Sequence, residues 1–397
     1  MNLGVIHWGF PPRGGGVETH LITVLPEVAR LGVNVCVLTE TMEGQKEEED
    51  VYGIKLFRKE DLLTTKLDER LKNGENLYAS SKKLFDEFIK KNKISTIHAH
   101  NLHMDYFDLS KALIDSCAEN KINCYLIMHN HEFIDRHEET MRKIIKDLPW
   151  TKLVPISMFI EKALQKKIPG IPREEWQVVL HGIDLEEFRP LTKIGREDLK
   201  KKYGFSGKRV ILHPARIMKW KGIIPAIKAM PAIVKKFPDA HLVLTGRIKP
   251  IFKAHDEISE YNELVDRTIE ELGLKDNVHV GKYTLFDIPK LNALSDIVIY
   301  TTIGDEPFGL CPVEAMASGV PAIVTASGGL VESVVDGETG FIIKKDEAKI
   351  PAELSERIIR LFSDQNLMEE MGKNGRIRAK KLFGKRRMAK ELVSLLN

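Results

Sequence analysis

The chain has 397 residues, 43% hydrophobic and 29% charged, which is more than one hydrophobic core normally serves and too apolar for a disordered polypeptide. Its 60 basic and 57 acidic residues leave a formal charge of +3, a balance that argues against a dedicated nucleic-acid binder with its concentrated basic face. No apolar run reaches transmembrane length and the N-terminus lacks the pattern of a signal peptide. Four scattered cysteines (Cys36, Cys117, Cys124, Cys311) read as reduced residues without metal-ligand spacing, so a cytoplasmic protein with no integral membrane segment is expected.

Leu3–His7 opens the chain as an apolar strand, and a Pro/Gly loop follows over Phe10–Gly16. Val17, Leu21, Val24, Leu25, Val28 and Leu31 recur near the helical period and predict a helix, kinked at Pro26 and stopped at Gly32. Strands are expected at Val33–Leu38, Thr96–His98, Cys124–Met128, Leu153–Ile156 and Val178–Leu180, with helical stretches such as Ser80–Lys91 and Tyr106–Glu119 between them. Leu185–Lys208 is charged and turn-rich and breaks the alternation. It restarts with Val210–His213, His241–Thr245, Val278–Val280, Asp296–Thr301 and Pro321–Thr325.

The class is therefore α/β: two doubly wound, Rossmann-like domains with parallel sheets, facing a central cleft. The N-terminal domain takes residues 1–184 and the C-terminal one 185–383, while a last helix at about 384–397 is free to pack back on the first. The basic runs Lys200–Lys202 and Lys380–Arg387 read as solvated helix faces, with an anionic membrane patch as the alternative.

Ligands of open parallel sheets bind beyond the C-terminal ends of the strands, so the loops that follow strands carry the chemistry. The densest is TTIGDEPFGLCPVEAMASGV from Thr301 onward. A strand runs into a loop with Glu306, then a helix starts near Gly309 and bears Glu314. The backbone amides of Phe308, Gly309, Leu310 and Cys311 at that helix start suit a diphosphate. Glu306 is placed to accept from hydroxyls and Glu314 from a vicinal pair such as ribose, and Ser327-Gly328-Gly329 suggests close backbone approach to a ligand.

A second loop, His213-Pro-Ala-Arg216-Ile-Met-Lys219-Trp-Lys221-Gly222, sets Arg216 and Lys221 beside another helix start, with Lys219 read as the solvated member. A third, Pro11-Pro12-Arg13-Gly14-Gly15-Gly16, is neither a dinucleotide fingerprint nor a P-loop. It suits either close ligand approach or an ordinary turn. Histidines gather at two strand ends, His98, His100 and His103 at one and His129 and His131 at the other. No converging carboxylates accompany them, so most read as structural, one as a sugar contact, and no metal site is expected.

At these residues the chain resembles the retaining glycosyltransferase family numbered 4, of the GT-B fold, over nearly its whole length. Glu306-Pro-Phe-Gly-Leu-Cys-Pro-Val-Glu314 is similar to that family's E-x7-E signature. The resemblance implies that Glu306 contacts the transferred sugar, Glu314 the nucleotide ribose, and Arg216 and Lys221 the donor diphosphate. It also implies that Gly15 and Gly16 belong to a loop closing over the substrates, that His129 lies near the transferred sugar, and that the main chain at Tyr283 meets the base. Two segments depart from the pattern: His181 stands where Asn is common before Gly182, and Gly246-Arg247-Ile248 replaces a commoner Gly-Asp-Gly.

The implied activity is metal-independent transfer, with retention, of a hexose or N-acetylhexosamine from a nucleotide-sugar to a hydroxyl of a small acceptor. No cofactor is required. UDP is the favoured nucleotide, and the opening His-Trp-Gly-Phe-Pro-Pro-Arg-Gly-Gly-Gly resembles N-acetylglucosaminyltransferases acting on the aminocyclitol 2-deoxystreptamine in antibiotic biosynthesis. The alternatives are a nucleotide-sugar epimerase of the same fold, a transferase for lipid or polysaccharide acceptors, and a non-catalytic binding subunit.

Overall fold

The computed structural model describes residues 1–11, 15–41, 44–62, 64–131, 138–246 and 255–396. It divides into two compact units, one of Met1–Gly182 with Lys385–Asn397 and the other of Ile183–Gly384.

The first unit holds seven strands: β1 (Asn2–Ile6), β2 (Asn34–Thr39), β3 (Glu48–Val51), β4 (Ile54–Arg58), β5 (Thr96–His100), β6 (Asn123–Met128) and β7 (Lys152–Pro155). Their order across the sheet is β3-β4-β2-β1-β5-β6-β7, and every pairing is parallel except β3 with β4. That antiparallel hairpin lies outside the sequence expectation because β3 reads Glu-Glu-Asp-Val. Its charges suit an exposed sheet edge, where they discourage pairing with another chain. Val178–Leu180 forms no strand; Gln177 N and Val179 N merely donate to the carbonyls of Leu153 and Pro155 alongside β7, at 2.9 and 3.1 Å. The helix Gly16–Arg30 runs uninterrupted through Pro26, which removes one backbone donor without ending it.

The second unit has six strands: β8 (Arg209–Arg216), β9 (Ala240–Gly246), β10 (Val278–Val280), β11 (Ile297–Tyr300), β12 (Ala322–Thr325) and β13 (Gly340–Ile343). They are all parallel, in the order β10-β9-β8-β11-β12-β13. Side chains alternate between two cores because successive strand residues point to opposite faces. Ile211, Leu242, Leu244, Ile297, Ile299 and Ile323 pack on one face, and Val210, Leu212, Val243, Val298, Tyr300 and Val324 on the other.

The stretch read as a break between domains contains a helix of this second unit, Lys193–Lys202, whose N-cap Thr192 Oγ1 accepts from Gly195 N at 3.1 Å. Lys200 is not a solvated charge. It is buried, and it donates to Asp296 Oδ2 at 3.0 Å beside Arg196, which meets Asp296 Oδ1 at 2.7 Å. In the second basic run Lys380, Lys381 and Arg386 are exposed as expected, while Lys385 and Arg387 turn inward. The helix Lys385–Ser394 packs on Gly16–Arg30, with Lys385 Nζ 3.0 Å from the buried carboxylate of Glu27 and Arg387 donating to the carbonyls of Leu180 and His181. Among the described residues no helix is long and apolar enough to cross a membrane. All four cysteines are free, three of them buried.

Each sheet has one point where the strand order reverses, between β1 and β5 in the first unit and between β8 and β11 in the second. A doubly wound sheet opens a crevice there, beyond its strand ends.

Candidate active site

In the second unit the reversal sets the loops after β8 and β11 side by side. Thr301 Oγ1 donates to Gly222 O at 2.9 Å, Thr302 Oγ1 to Trp220 O at 2.9 Å, and Ile303 N to Trp220 O at 2.8 Å. Because Thr301 gives its proton to Gly222, the 3.0 Å contact with His213 Nε2 requires that nitrogen to donate. His213 is neutral, its pKa lowered to about 3 by burial and next by Lys221.

This stitching fixes Lys221. Its ammonium donates to Glu306 Oε2 at 2.7 Å and to the Tyr300 hydroxyl, and Tyr300 in turn donates to Glu306 Oε2 at 3.0 Å. The ammonium also lies 3.7 Å from the Trp220 ring centroid and 4.7 Å from that of Tyr300. The two predicted cations are therefore unlike. Lys221 is buried and engaged, whereas Arg216, last residue of β8, is exposed and has no hydrogen-bond or ion-pair partner among the described residues. Lys219 is exposed.

The helix after Glu306 spans Leu310–Ala317 with Gly309 as its cap. Pro312 lacks an N–H, so the amides its start can offer are those of Gly309, Leu310 and Cys311, while Phe308 lies before the cap with its ring buried against Phe383. Cys311 Sγ reaches Pro214 O at 3.6 Å, which brings this helix start to the C-terminal end of β8. Glu314 is partly exposed, and burial, with Glu187 adding to it, raises its pKa to about 7.

Gly328 and Gly329 have a different role from the one expected. A Cβ on Gly328, whose φ is +50°, would lie 2.0 Å from Glu306 O, and one on Gly329 2.7 Å from Phe308 Cα. The close approach is to the backbone of the Glu306 loop, which Gly329 N also holds by a 2.8 Å bond to Glu306 O. Tyr283 is half-buried, its ring folded over Gly281 and 6.3 Å from that of Tyr203.

In the first unit, Gly15 caps the helix and Gly16 begins it; Arg13 and Gly14 lie outside the described residues, as do Arg247 and Ile248. Gly15 makes room for protein here. A Cβ there would meet Glu18 Oε2 at 2.0 Å, and the buried Glu18 pairs with His7 at 3.5 Å.

His129 follows β6, buried, its amide donating to Asn101 Oδ1 at 2.8 Å. His129 Nε2 contacts His100 Nδ1 at 2.9 Å, His129 Nδ1 contacts His181 Nε2 at 3.3 Å, and His181 Nδ1 contacts His20 Nδ1 at 3.2 Å. His98, His103 and His131 are buried elsewhere: His103 meets Asn130 O at 3.2 Å and His131 packs on Phe159.

Sequence reasoning thus missed Tyr300, which sits in an apolar strand and reads as core. It also missed His20, the residue of a helical stretch whose spacing signals only a buried face, and the convergence of His181 with the strand-end histidines.

Two family models match the chain: Glycosyltransferase Family 4 over residues 14–187 and Glycosyl transferases group 1 over residues 195–378. Among curated proteins it is 27% identical to the spore coat protein SA of Bacillus subtilis, over 96% of this chain and 94% of that one. It is 29% identical to the putative glycosyltransferase YtcC of the same organism, over 73% and 70%. Among solved structures, Anabaena HepE in complex with UDP and glucose superposes with a TM-score of 0.76 at 19% identity, covering 100% of this chain and 99% of that one. Sucrose-phosphate synthase of Thermosynechococcus elongatus gives 0.78 at 20%, covering 99% and 98%. The two-domain α/β architecture is that of GT-B glycosyltransferases.

Proposed function

We propose, because glycosyltransferase models of family 4 and group 1 match the two halves of the chain, that it is a GT-B glycosyltransferase that transfers a hexose or N-acetylhexosamine from a UDP-sugar to a hydroxyl of a small acceptor, with retention and without a metal. The observation that carries this reading is the set Arg216, Lys221, Tyr300 and Glu306 beside the helix start at Gly309.

As the anomeric bond breaks, negative charge grows on the departing diphosphate. Arg216, Lys221 and the amides of Gly309, Leu310 and Cys311 are positive ends already in place to receive it, and one such donor is typically worth about 3 kcal/mol, roughly a hundredfold in rate. Lys221 is held by Glu306 until a diphosphate competes for it. Glu306 then faces the transferred sugar as a positioning carboxylate, and Glu314 takes the ribose diol. Same-face attack, with a donor phosphate oxygen accepting the acceptor proton, accounts for retention without a carboxylate nucleophile. The UDP preference draws support from HepE, whose structure holds UDP and glucose.

For the acceptor, an aminocyclitol is the first compound to test. Relatives include an N-acetyl-alpha-D-glucosaminyl L-malate synthase and a mannosylfructose-phosphate synthase, so hydroxy acids and sugar phosphates belong in the same panel. The test is a thermal-shift screen of nucleotide-sugars followed by NMR of products. A shift from GDP-sugars alone refutes the UDP assignment, an inverted anomer refutes retention, and donor isomerisation without acceptor favours an epimerase.

A further inference from the structure

The relay of histidines in the first unit is not absorbed by sugar transfer. His20 comes from the helix after β1, His100 from the end of β5, His129 from the end of β6, and His181 from the segment before Gly182. All four are buried, between 1% and 4% exposed. Burial lowers the pKa of each below the ordinary histidine range, with the neighbouring imidazoles adding to it for His20, His100 and His129 and Arg387 for His181.

In the neutral form in which imidazole binds a metal, four rings carry four N–H groups, and three ring-to-ring contacts use three of them. The chain of contacts ends on His20 Nε2 and His100 Nε2, both buried without a hydrogen-bond partner. Whichever way the protons run, one end keeps an unused N–H and the other an unused lone pair. Buried polar groups are rarely left so.

We propose that His20, His100 and His129 bind one divalent transition-metal ion of the Zn²⁺ class, with His181 orienting the ligands from behind. One ring nitrogen from each of the three lies within 4.8 Å of the other two. A tetrahedral Zn²⁺ with bonds of about 2.0–2.1 Å places its nitrogens about 3.3–3.4 Å apart, so the rings close by at most about 1.5 Å. Three neutral imidazoles and no carboxylate select Zn²⁺, Co²⁺, Ni²⁺ or Cu²⁺ over Mg²⁺ or Ca²⁺. The site is independent of the transfer chemistry proposed above, which uses no metal.

His181 contacts His20 and His129, the arrangement that fixes ring orientation in metal sites. A neutral His181 has one N–H, so on loading it keeps one of these contacts and the other opens. It also occupies the position where the resembled family often carries Asn.

The test uses the full chain, stripped with a chelator and titrated with Zn²⁺ by calorimetry and with Co²⁺ by visible absorption. One equivalent should bind, with Co²⁺ d–d bands of a nitrogen-rich four-coordinate site, and excess Mg²⁺ should not compete. His20→Ala and His100→Ala should abolish the bands, His181→Asn should weaken binding about 10–100-fold, and His279→Ala, at an exposed residue, should change nothing. The Co²⁺ spectrum of the unaltered chain decides the matter even if a variant fails to fold. No saturable one-site binding at micromolar metal, or binding unaffected by His20→Ala and His100→Ala, means a hydrogen-bonded histidine chain only and overturns the proposal.

Discussion

Replacing Lys221 with Met should destabilise the second unit more than replacing Lys221 and Glu306 together. The side chains of this pair are 8% and 14% exposed, so their attraction is little screened. Removing one partner of a buried pair typically costs about 3–5 kcal/mol because the other charge stays behind uncompensated. Here Glu306 keeps the Tyr300 hydroxyl as a donor at 3.0 Å, which brings Lys221→Met to about 2–3 kcal/mol. Lys221→Met with Glu306→Gln leaves no orphan charge and should cost about 1 kcal/mol, which is about 1–2 kcal/mol less than Lys221→Met alone. Urea unfolding reports it through tryptophan fluorescence, since the Trp220 ring lies 3.7 Å from the ammonium. Calorimetry with UDP adds a second readout: Lys221→Met weakens binding at least about tenfold, while Glu306→Gln leaves it equal or tighter and lowers turnover at least about a hundredfold. Equal stability loss in the single and double variants, or Glu306→Gln weakening UDP as much as Lys221→Met, would refute the reasoning.

Tyr300→Phe removes the hydroxyl bridging Lys221 and Glu306 and should lower kcat about tenfold, about 1–2 kcal/mol, with UDP affinity little changed; parallel losses in both would count against a positioning role. Gly328→Ala forces a Cβ to within 2.0 Å of Glu306 O at a φ of +50° and should lower Tm by more than about 5 °C, whereas Gly337→Ala, at φ +76° with nothing within 4 Å, should lose only about 1 kcal/mol. Glu314 has a folded pKa raised from 4.5 to about 7, so the stability it contributes is fully present below pH 4.5 and is lost as pH rises through 7. Glu314→Gln should therefore match the parent in Tm near pH 4.5 and exceed it above pH 7, and a difference independent of pH contradicts the assignment.

The sequence by itself determined the local layers of this protein. Apolar runs at Val210–His213 and Ile297–Thr301 fall on β8 and β11, and chain order alone then puts Glu306 in the loop after a strand, while Arg216, expected in such a loop, is the last residue of the longer β8. Glycine and proline punctuation likewise placed the helix start that follows Glu306. Pairing was decided only in three dimensions. Lys221 and Glu306 are 85 positions apart, and periodicity carries no information about which loop a cation will face once the strand order reverses. Tyr300 counted as core because an apolar strand gives no sign that one hydroxyl at its end meets a lysine and a glutamate. Gly328 and Gly329 announced a close approach but not its object, which proved to be protein backbone. His20 and His181, 161 positions apart, meet beside His129 through tertiary packing alone. A spacing rule reports neighbours along one helix or strand, whereas these contacts join elements that the sheet order and burial of two cores bring together.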